Sequence, residues 1–567
     1  MYLKNKKLFF SLCLSIGLFY YLFFSIPLNL NDDHGIIINA GLQVSQGSFP
    51  GIDFPYPHGV LPPLIIGLFF KIFHFFNLSW QLPYFLISLF LFLFFVFILV
   101  RLINGIFKVS KYHSSLVSLL LVSFCLNPWG GIYFDYISIN FCFIIIYLFF
   151  LGFNSIEESN KFNSKTAFYF FILGVFAFIN PFFVKLTSVY ISFATTICLT
   201  YLITFNRRFN QYKYKIFIYF FAGALILPFI ILISFLNNFD SLSTLILNIL
   251  NPVFNADDLA QYSLVRLSPR DFIVPVFSLI ALSTFLSLYN SKIYKSSFLI
   301  YKLLTFFFIF QYIQAWGRSR YWLFIAILFL CIKTLIEIKE LKINKNVKLL
   351  LSIIFSSLTI LNFSEFLRIN RRIFLRQKQY KNNLILNFKD TNLSFFKIKQ
   401  DTNWGVSSDV VEISKILKSK LENKQIKNYS YFDDNGFLIP LITGIKPVHK
   451  YTFFQINKTV FKNQPVNKNI YNLGRPDNLV ICLPLKPETF NSNPDKFLKN
   501  QLNIEAPYLG LKINNSERYL RAKIIDKNFD VAKKIFLDFT DIYLKNYEME
   551  FSNKSCALYK SKNQKIN

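Results

Sequence analysis

"VLPPLIIGLFFKIFHFFN" occupies residues 60–77, and whether it crosses a membrane decides the topology of the whole chain. It is apolar but short, and Lys71 and His74 interrupt it. If it is a span, the stretch "RLINGIFKVSKYH" (101–113) falls outside the membrane with its basic residues. If it lies along the outer interface, that stretch returns to the cytoplasm, where the Lys and Arg of short loops concentrate. Its mixture of aromatic and basic residues suits an interfacial helix.

Outward from that segment, long and nearly uncharged apolar runs recur, which is the pattern of spanning helices. The sequence predicts eleven of them, at 8–28, 80–100, 114–127, 132–152, 167–184, 187–205, 215–236, 272–289, 297–315, 321–338 and 347–363. "MYLKNKK" precedes the first, whose apolar part of about 21 residues is long enough to span and is followed by no A-x-A site. It reads as an uncleaved helix with a cytoplasmic N-terminus. With 60–77 on the surface, the basic loops 206–215, 290–296 and 339–348 all fall inside. The loops left outside, 29–59, 128–136, 237–271 and 316–320, are acidic, neutral or weakly basic. This agreement with the positive-inside rule also puts the C-terminal part outside.

The composition fits a polytopic membrane protein: 567 residues, 53% hydrophobic and 19% aromatic, with 72 Phe. The formal net charge of +30 comes from scattered Lys and Arg, so it argues for membrane topology and against nucleic acid as a partner. Of seven cysteines, Cys13, Cys125, Cys142, Cys198 and Cys331 sit in apolar runs and read as small core hydrophobes. No C-x-x-C occurs, so no zinc or redox motif is supported. Cys482 and Cys556 lie in the tail and can form a disulfide if the tail is extracytoplasmic.

From about residue 364 the composition turns polar and no spanning run returns. The chain divides into a transmembrane domain, 1–363, with a first external loop at 29–79, and a C-terminal domain, 364–567. In the tail, "LVICLPL" (479–485) predicts a buried strand and "DVVEISKILKSKLE" (409–422) an amphipathic helix. The tail is therefore expected to be a mixed α/β domain.

Polar residues inside a bilayer are expensive and usually functional. No charged residue falls near the middle of a predicted span: Asp135, Asn180 and Lys185 lie at outer ends, Lys302 and Lys333 toward inner ends. Candidate chemistry therefore gathers at the outer boundary, where a lipid-borne substrate presents its head group. The first loop contributes most of it. Residues 31–63, "NDDHGIIINAGLQVSQGSFPGIDFPYPHGVLPP", carry three carboxylates and two histidines and no Lys or Arg.

This loop resembles the first external loop of glycosyltransferases of the C superfamily, the group of protein O-mannosyltransferases and lipid A aminoarabinose transferases. Asp33, Gly35, Gly47, Pro50, Asp53, Phe54, His58 and Gly59 match its pattern in order and spacing. His34 stands where a second acid is usual, and Asp32 is the residue able to take over part of that role. Lys185, in "NPFFVKLTS", resembles a lysine often found after the fifth span, and "WGRSRYW" (316–322) resembles an Arg-containing loop, though without its usual Asp and His. The likeness covers about residues 1–340; the tail is similar only in position.

The resemblance implies a sugar donor on a polyprenyl phosphate, a glycan, lipid or protein acceptor, and inverting transfer at the outer face of a bacterial inner membrane. A carboxylate, Asp33 or Asp32, would take the acceptor proton, and such general-base help is worth about 10²–10⁴-fold. The leaving phosphate needs positive charge from Lys185, Arg318 and Arg320 or from a divalent cation such as Mg or Mn. Carboxylates in separate loops do not define a coordination shell. His34, Asp53, His58 and Asp135 complete the candidate substrate-binding set. Each has a plainer reading: Asp33 as a helix cap, Asp53 as a turn former, His58 as a hydrogen-bonded loop residue, Asp135 as a solvated end residue, and Lys185, Arg318 and Arg320 as interfacial anchors. Three other functions compete: a polysaccharide ligase or polymerase, which would be expected to carry an Arg-rich external loop; a transporter or flippase; and a non-enzymatic scaffold.

Overall fold

The computed structural model describes residues 32–54, 56, 59–75, 81–107, 134–185, 188–234, 238–254, 343–380, 385–387, 397–399, 408–432, 438–449, 475–482, 546–553 and 556–562, with scattered residues within 110–119, 274–282 and 331–338. For residues 32–36 and 134–136 only the backbone course is described.

The first loop folds as two helices, α1 (Asp32–Ser45) and α2 (Leu61–Phe75). At 15 residues, α2 is about 22 Å long, too short for a hydrocarbon core of roughly 30 Å. Two glycines let α1 and α2 touch. A Cβ on Gly41 would lie 2.3 Å from Ile66 Cγ2, and one on Gly67 would lie 2.3 Å from Val44 Cγ1.

Among the described residues, five helices are long and apolar enough to cross a membrane: Leu86–Gly105, Asn140–Ser159, Ser164–Val184, Lys213–Ser234 and Lys345–Glu365. They belong to α3 (Gln81–Phe107), α4 (Phe134–Ser159), α5 (Ser164–Ile179, continued by a π-helical turn, Asn180–Val184), α7 (Lys213–Ser234) and α9 (Lys345–Tyr380). They answer the predicted spans 80–100, 132–152, 167–184, 215–236 and 347–363. The span at 187–205 corresponds to α6 (Val189–Phe205), of 17 residues. The segments 8–28 and 297–315 lie outside the described residues, and 114–127, 272–289 and 321–338 largely so. A sixteen-residue helix, α8 (Phe239–Phe254), follows α7.

Local chemistry sets the ends. Asn163 caps α5: its side-chain oxygen accepts from the Thr166 N–H at 2.8 Å. Tyr212, just before α7, donates from its hydroxyl to the Asn160 carbonyl at 2.7 Å, closing the same end of the bundle. Lys161, Lys165, Arg207, Arg208, Lys213 and Lys215 lie at or near this end. The far end of α5, at the π turn, meets the first loop. The helix bundle is thus polarised, with basic residues at one end and the acidic loop at the other.

The tightest crossing in the bundle is between α5 and α7. A Cβ on Gly174 would lie 1.9 Å from the Phe220 carbonyl oxygen, and one on Gly223 would lie 1.9 Å from the Phe171 carbonyl oxygen. Small residues at such crossings let backbones meet where lipid supplies no hydrophobic drive. The outer face of α7 is apolar and open, with Ile218, Leu225 and Phe229 more than 60% exposed, as a lipid-facing helix requires. Gly223→Ala should destabilise the bundle by roughly 2 kcal/mol through overpacking, whereas Ile218→Val on the open face should leave it unchanged. Thermal unfolding in detergent checks this, and equal melting of Gly223→Ala and wild type would refute the crossing.

The sequence places the domain boundary at 364, but α9 runs unbroken to Tyr380, 36 residues in all. That is about 54 Å, longer than a hydrocarbon core of roughly 30 Å. A two-stranded antiparallel hairpin follows, β1 (Ile385–Asn387) with β2 (Lys397–Lys399). Next come α10 (Ser408–Glu422), β3 (Tyr429–Phe432), α11 (Leu438–Thr443), β4 (Asn478–Cys482), β5 (Tyr547–Ser552) and β6 (Cys556–Ser561). The sheet order is β3-β4-β6-β5, parallel between β3 and β4 and antiparallel elsewhere. The predicted helix 409–422 is α10, whose Val410, Ile413 and Leu417 are buried. The predicted strand is β4, buried along its whole length; residues 483–485 lie outside the described residues. Cys482 and Cys556 face each other across β4 and β6 and are disulfide-bonded. Cys142, Cys198 and Cys331 are buried, as expected of core hydrophobes; Cys13 and Cys125 lie outside the described residues.

Candidate functional site

The first loop is locked in place from several directions, and the lock starts at the C-terminus of α1. Gly47 adopts φ +90, which glycine reaches without the Cβ clash that other residues meet. Gly47 N–H reaches the Val44 carbonyl at 3.0 Å and Ser48 N–H the Gln43 carbonyl at 3.0 Å, a Schellman stop. The chain then turns again. The Asp53 carboxylate accepts from the Phe49 N–H at 2.6 Å, and Gly51, at φ +83, donates to the Phe54 carbonyl at 2.8 Å. Phe54 and Tyr56, both 1% exposed, pack edge to face and plug this turn onto Ala40 and Val44 of α1. Asp53 itself is exposed. Its visible work is to fix this turn.

Two further elements close on the loop, and a third, α4, braces one of them. Asn248 of α8 donates from Nδ2 to the Gly51 carbonyl at 2.6 Å. Gly59 N–H donates to the Val184 carbonyl at 3.2 Å, and a Cβ on Gly59 would lie 2.2 Å from the Phe183 backbone. Lys185 follows directly, half-buried and in extended conformation. Asn180, at the start of the π turn, donates to the Ser138 carbonyl at 3.1 Å. Ser138 lies about one turn along α4 from Asp135. The loop carrying Gly59, the turn carrying Lys185 and the helix start carrying Asp135 are therefore joined by direct hydrogen bonds.

Asp32, Asp33 and His34 form the first turn of α1, where the helix dipole favours negative charge. Asp33 lies inside that turn, whereas a capping residue would precede it. His58, Arg318 and Arg320 lie outside the described residues. Among the described residues no three His, Cys, Asp or Glu side chains come together as a metal site. No family model matches the sequence, and no curated protein matches it either.

The tail domain reaches the same loop. Gln46 Nε2 donates to the Gly444 carbonyl at 3.1 Å, and Gln46 Oε1 accepts from the Lys446 N–H at 3.1 Å. Lys446 Nζ donates to Ser48 Oγ at 3.3 Å, so its charge stands at the C-terminus of α1, where a cation is favoured. Tyr429 supports this docking segment from β3: its hydroxyl donates to the Ile445 carbonyl at 2.6 Å and shares a 3.0 Å bond with Thr443 Oγ1.

Burial pushes the Tyr429 phenol well above its ordinary value, with the Thr443 bond working weakly the other way. The folded state therefore prefers the neutral phenol. Its contribution is complete below the unfolded value of about 10 and is lost as pH rises through that value toward the raised one. Melting of the tail domain should fall steeply above pH ~10. Tyr429→Phe should flatten that fall and cost about 1 kcal/mol at neutral pH, because the Ile445 carbonyl loses its 2.6 Å donor and keeps only the longer 3.3 Å bond from Thr443 Oγ1. An alkaline limb unchanged in Tyr429→Phe would assign the effect elsewhere.

Sequence reasoning missed Asn248, Gln46 and Lys446. These are contacts between positions about two hundred and four hundred residues apart in the chain, and nothing local marks them. The π turn did carry a signal, the Asn180-Pro181 pair inside an apolar run.

Proposed function

We propose that this protein is an integral membrane glycosyltransferase that moves a sugar from a polyprenyl-phosphate carrier to an acceptor hydroxyl at the outer membrane face. The observation that carries the reading is the bond from Gly59 N–H to the Val184 carbonyl. It makes neighbours of the first-loop motif and the lysine that the glycosyltransferase likeness assigns to the donor phosphate. In this reading the acceptor O–H loses its proton to the Asp33 carboxylate, with Asp32 beside it. The oxygen attacks the anomeric carbon from the face opposite the phosphate. The bond from that carbon to the phosphate oxygen breaks and its electron pair leaves with the phosphate, held by Lys185 with Arg318 and Arg320. Configuration inverts. His34, Asp53, His58 and Asp135 border the sugar and acceptor.

The same reading puts the tail outside the cell membrane. The Cys482–Cys556 bond supports this, because disulfides persist in oxidising compartments. So does the docking of Lys446 on the first loop, as two segments in contact at a membrane surface share one side of it.

Lys185→Ala should raise the donor KM by one to two decades, the worth of about 1.5–3 kcal/mol for a charged hydrogen bond to phosphate, with acceptor KM little changed. Sugar transfer by the detergent-purified protein with varied donor measures it. Normal donor dependence would remove Lys185 from the site. In cells, loss of the gene should leave the lipid-linked donor to accumulate, which mass spectrometry of lipid extracts detects.

The π turn that ends α5 at Asn180–Val184, a kind of turn frequent at functional sites, is equally compatible with one second reading, a flippase for a lipid-linked substrate. Transfer survives detergent extraction; net transport across a bilayer does not.

A further inference from the structure

The π turn after α5 is braced from three elements. Pro181 has no N–H, so the Ala177 carbonyl, four residues earlier, loses its helical donor. Ser192 Oγ of α6 donates to it instead. Asn180 supplies the second brace: its Nδ2 donates to the Ser138 carbonyl at 3.1 Å and lies 3.2 Å from Cys142 Sγ, both on α4. Gly59 N–H, on the Val184 carbonyl, is the third. The turn closes where Lys185 N–H meets the Asn180 carbonyl at 2.9 Å, five residues back, and the chain leaves at φ −156. Asn180 thus controls the exit of Lys185 twice, through its carbonyl and through its side chain. Asn180 is completely buried, and its Oδ1 has no hydrogen-bond partner among the described residues. An unpaired buried acceptor is costly, and an apolar residue would avoid the cost. Turns of this kind inside α-helices occur frequently at functional sites.

We propose that Asn180 is a positioning residue whose tie to α4 sets where Lys185 emerges beside Gly59. The meaning of that position as a donor-phosphate contact rests on the glycosyltransferase reading; the positioning does not.

Two measurements separate the claims. The first is acylation of Lys185 in the detergent-purified protein, where both ends of the bundle are open to a water-soluble amine reagent, read by peptide mass spectrometry against exposed Lys165 as internal standard. Asn180→Ala should change the Lys185 rate, relative to Lys165, by about tenfold, as loss of a defined surrounding for a charged group requires. An unchanged ratio overturns the proposal. Should Asn180→Ala not assemble, Asn180→Asp keeps the shape but sets an oxygen against the Ser138 carbonyl, and the same two outcomes decide.

The second is binding of a polyprenyl monophosphate to protein in nanodiscs. Lys185→Ala and Asn180→Ala should each weaken it by about tenfold, and the double variant should be no weaker than Lys185→Ala alone, because coupled residues are not additive. Additive losses would mean that Asn180 acts only on the scaffold, and would overturn positioning. If acylation shifts but Lys185→Ala binds the lipid phosphate normally, positioning stands and the donor assignment falls.

Discussion

Asp33→Asn is expected to lower sugar transfer by two decades or more, about 3 kcal/mol in barrier, with the protein still folded. An amide cannot take the acceptor proton near neutral pH. The fold should tolerate the change because α1 begins at Asp32 and Asp33 lies within its first turn. There the lost charge removes only a dipole interaction of about 0.3–1 kcal/mol. Asp32→Asn should cost less, unless Asp32 has taken the role of the base. The measurement is turnover by detergent-purified variants, with melting recorded alongside. Two folded single variants and a folded double variant, all with near-normal turnover, would place the base outside this pair.

The second large effect concerns the tail. Cys482 and Cys556 are direct partners on β4 and β6, are at most 1% exposed, and close a sequence separation of 74 residues. Removing such a link frees the unfolded chain by an amount on the order of 4 kcal/mol. For a domain of marginal stability that is most of what it has. The double variant Cys482→Ala/Cys556→Ala should therefore leave the tail sensitive to protease in intact membranes, while the helix bundle stays resistant. Because Lys446 docks on Ser48 and Gln46, loosening the tail should also loosen the end of α1. Non-reducing mass mapping of the denatured protein supplies the direct check. Two free thiols at these positions would contradict the bond and remove its support for an external tail.

Five of the eleven predicted spans are matched by helices of spanning length among the described residues, because long hydrophobic runs are legible in sequence. α3, α4, α5, α7 and α9 stand where such runs stand. The shortness of residues 60–77 also carried through, since α2 ends at Phe75 after 15 residues. In the tail, the alternation in 409–422 and the apolar run at 479–482 became α10 and β4 for the same reason: periodicity records which face is buried. The end of α9 was not legible. Polar composition after 364 marks departure from lipid, and a helix in water needs no apolar run to continue.

In the candidate site, residue types were readable and their partners were not. The acidic pair and Asp53-Phe54 stood out because they sit in a loop without Lys or Arg in a chain of net charge +30, and Lys185 because it closes an apolar run. Asp53 has a turn to hold, seen only once its carboxylate is found on the Phe49 N–H. Gly59 mattered to the sequence as one motif position; the fold shows that its missing Cβ is what lets Phe183 pass. Gly174 and Gly223 are two unremarked glycines in apolar runs until each is found against the other helix's carbonyl. Sequence by itself determined which segments are apolar enough to enter lipid, which are polar and which carry charge, because those follow from transfer free energies summed along the chain. Only tertiary structure decided which loop meets which turn, because a hydrogen bond between Gln46 and Lys446 depends on where two distant backbones come to lie, and no local propensity encodes that.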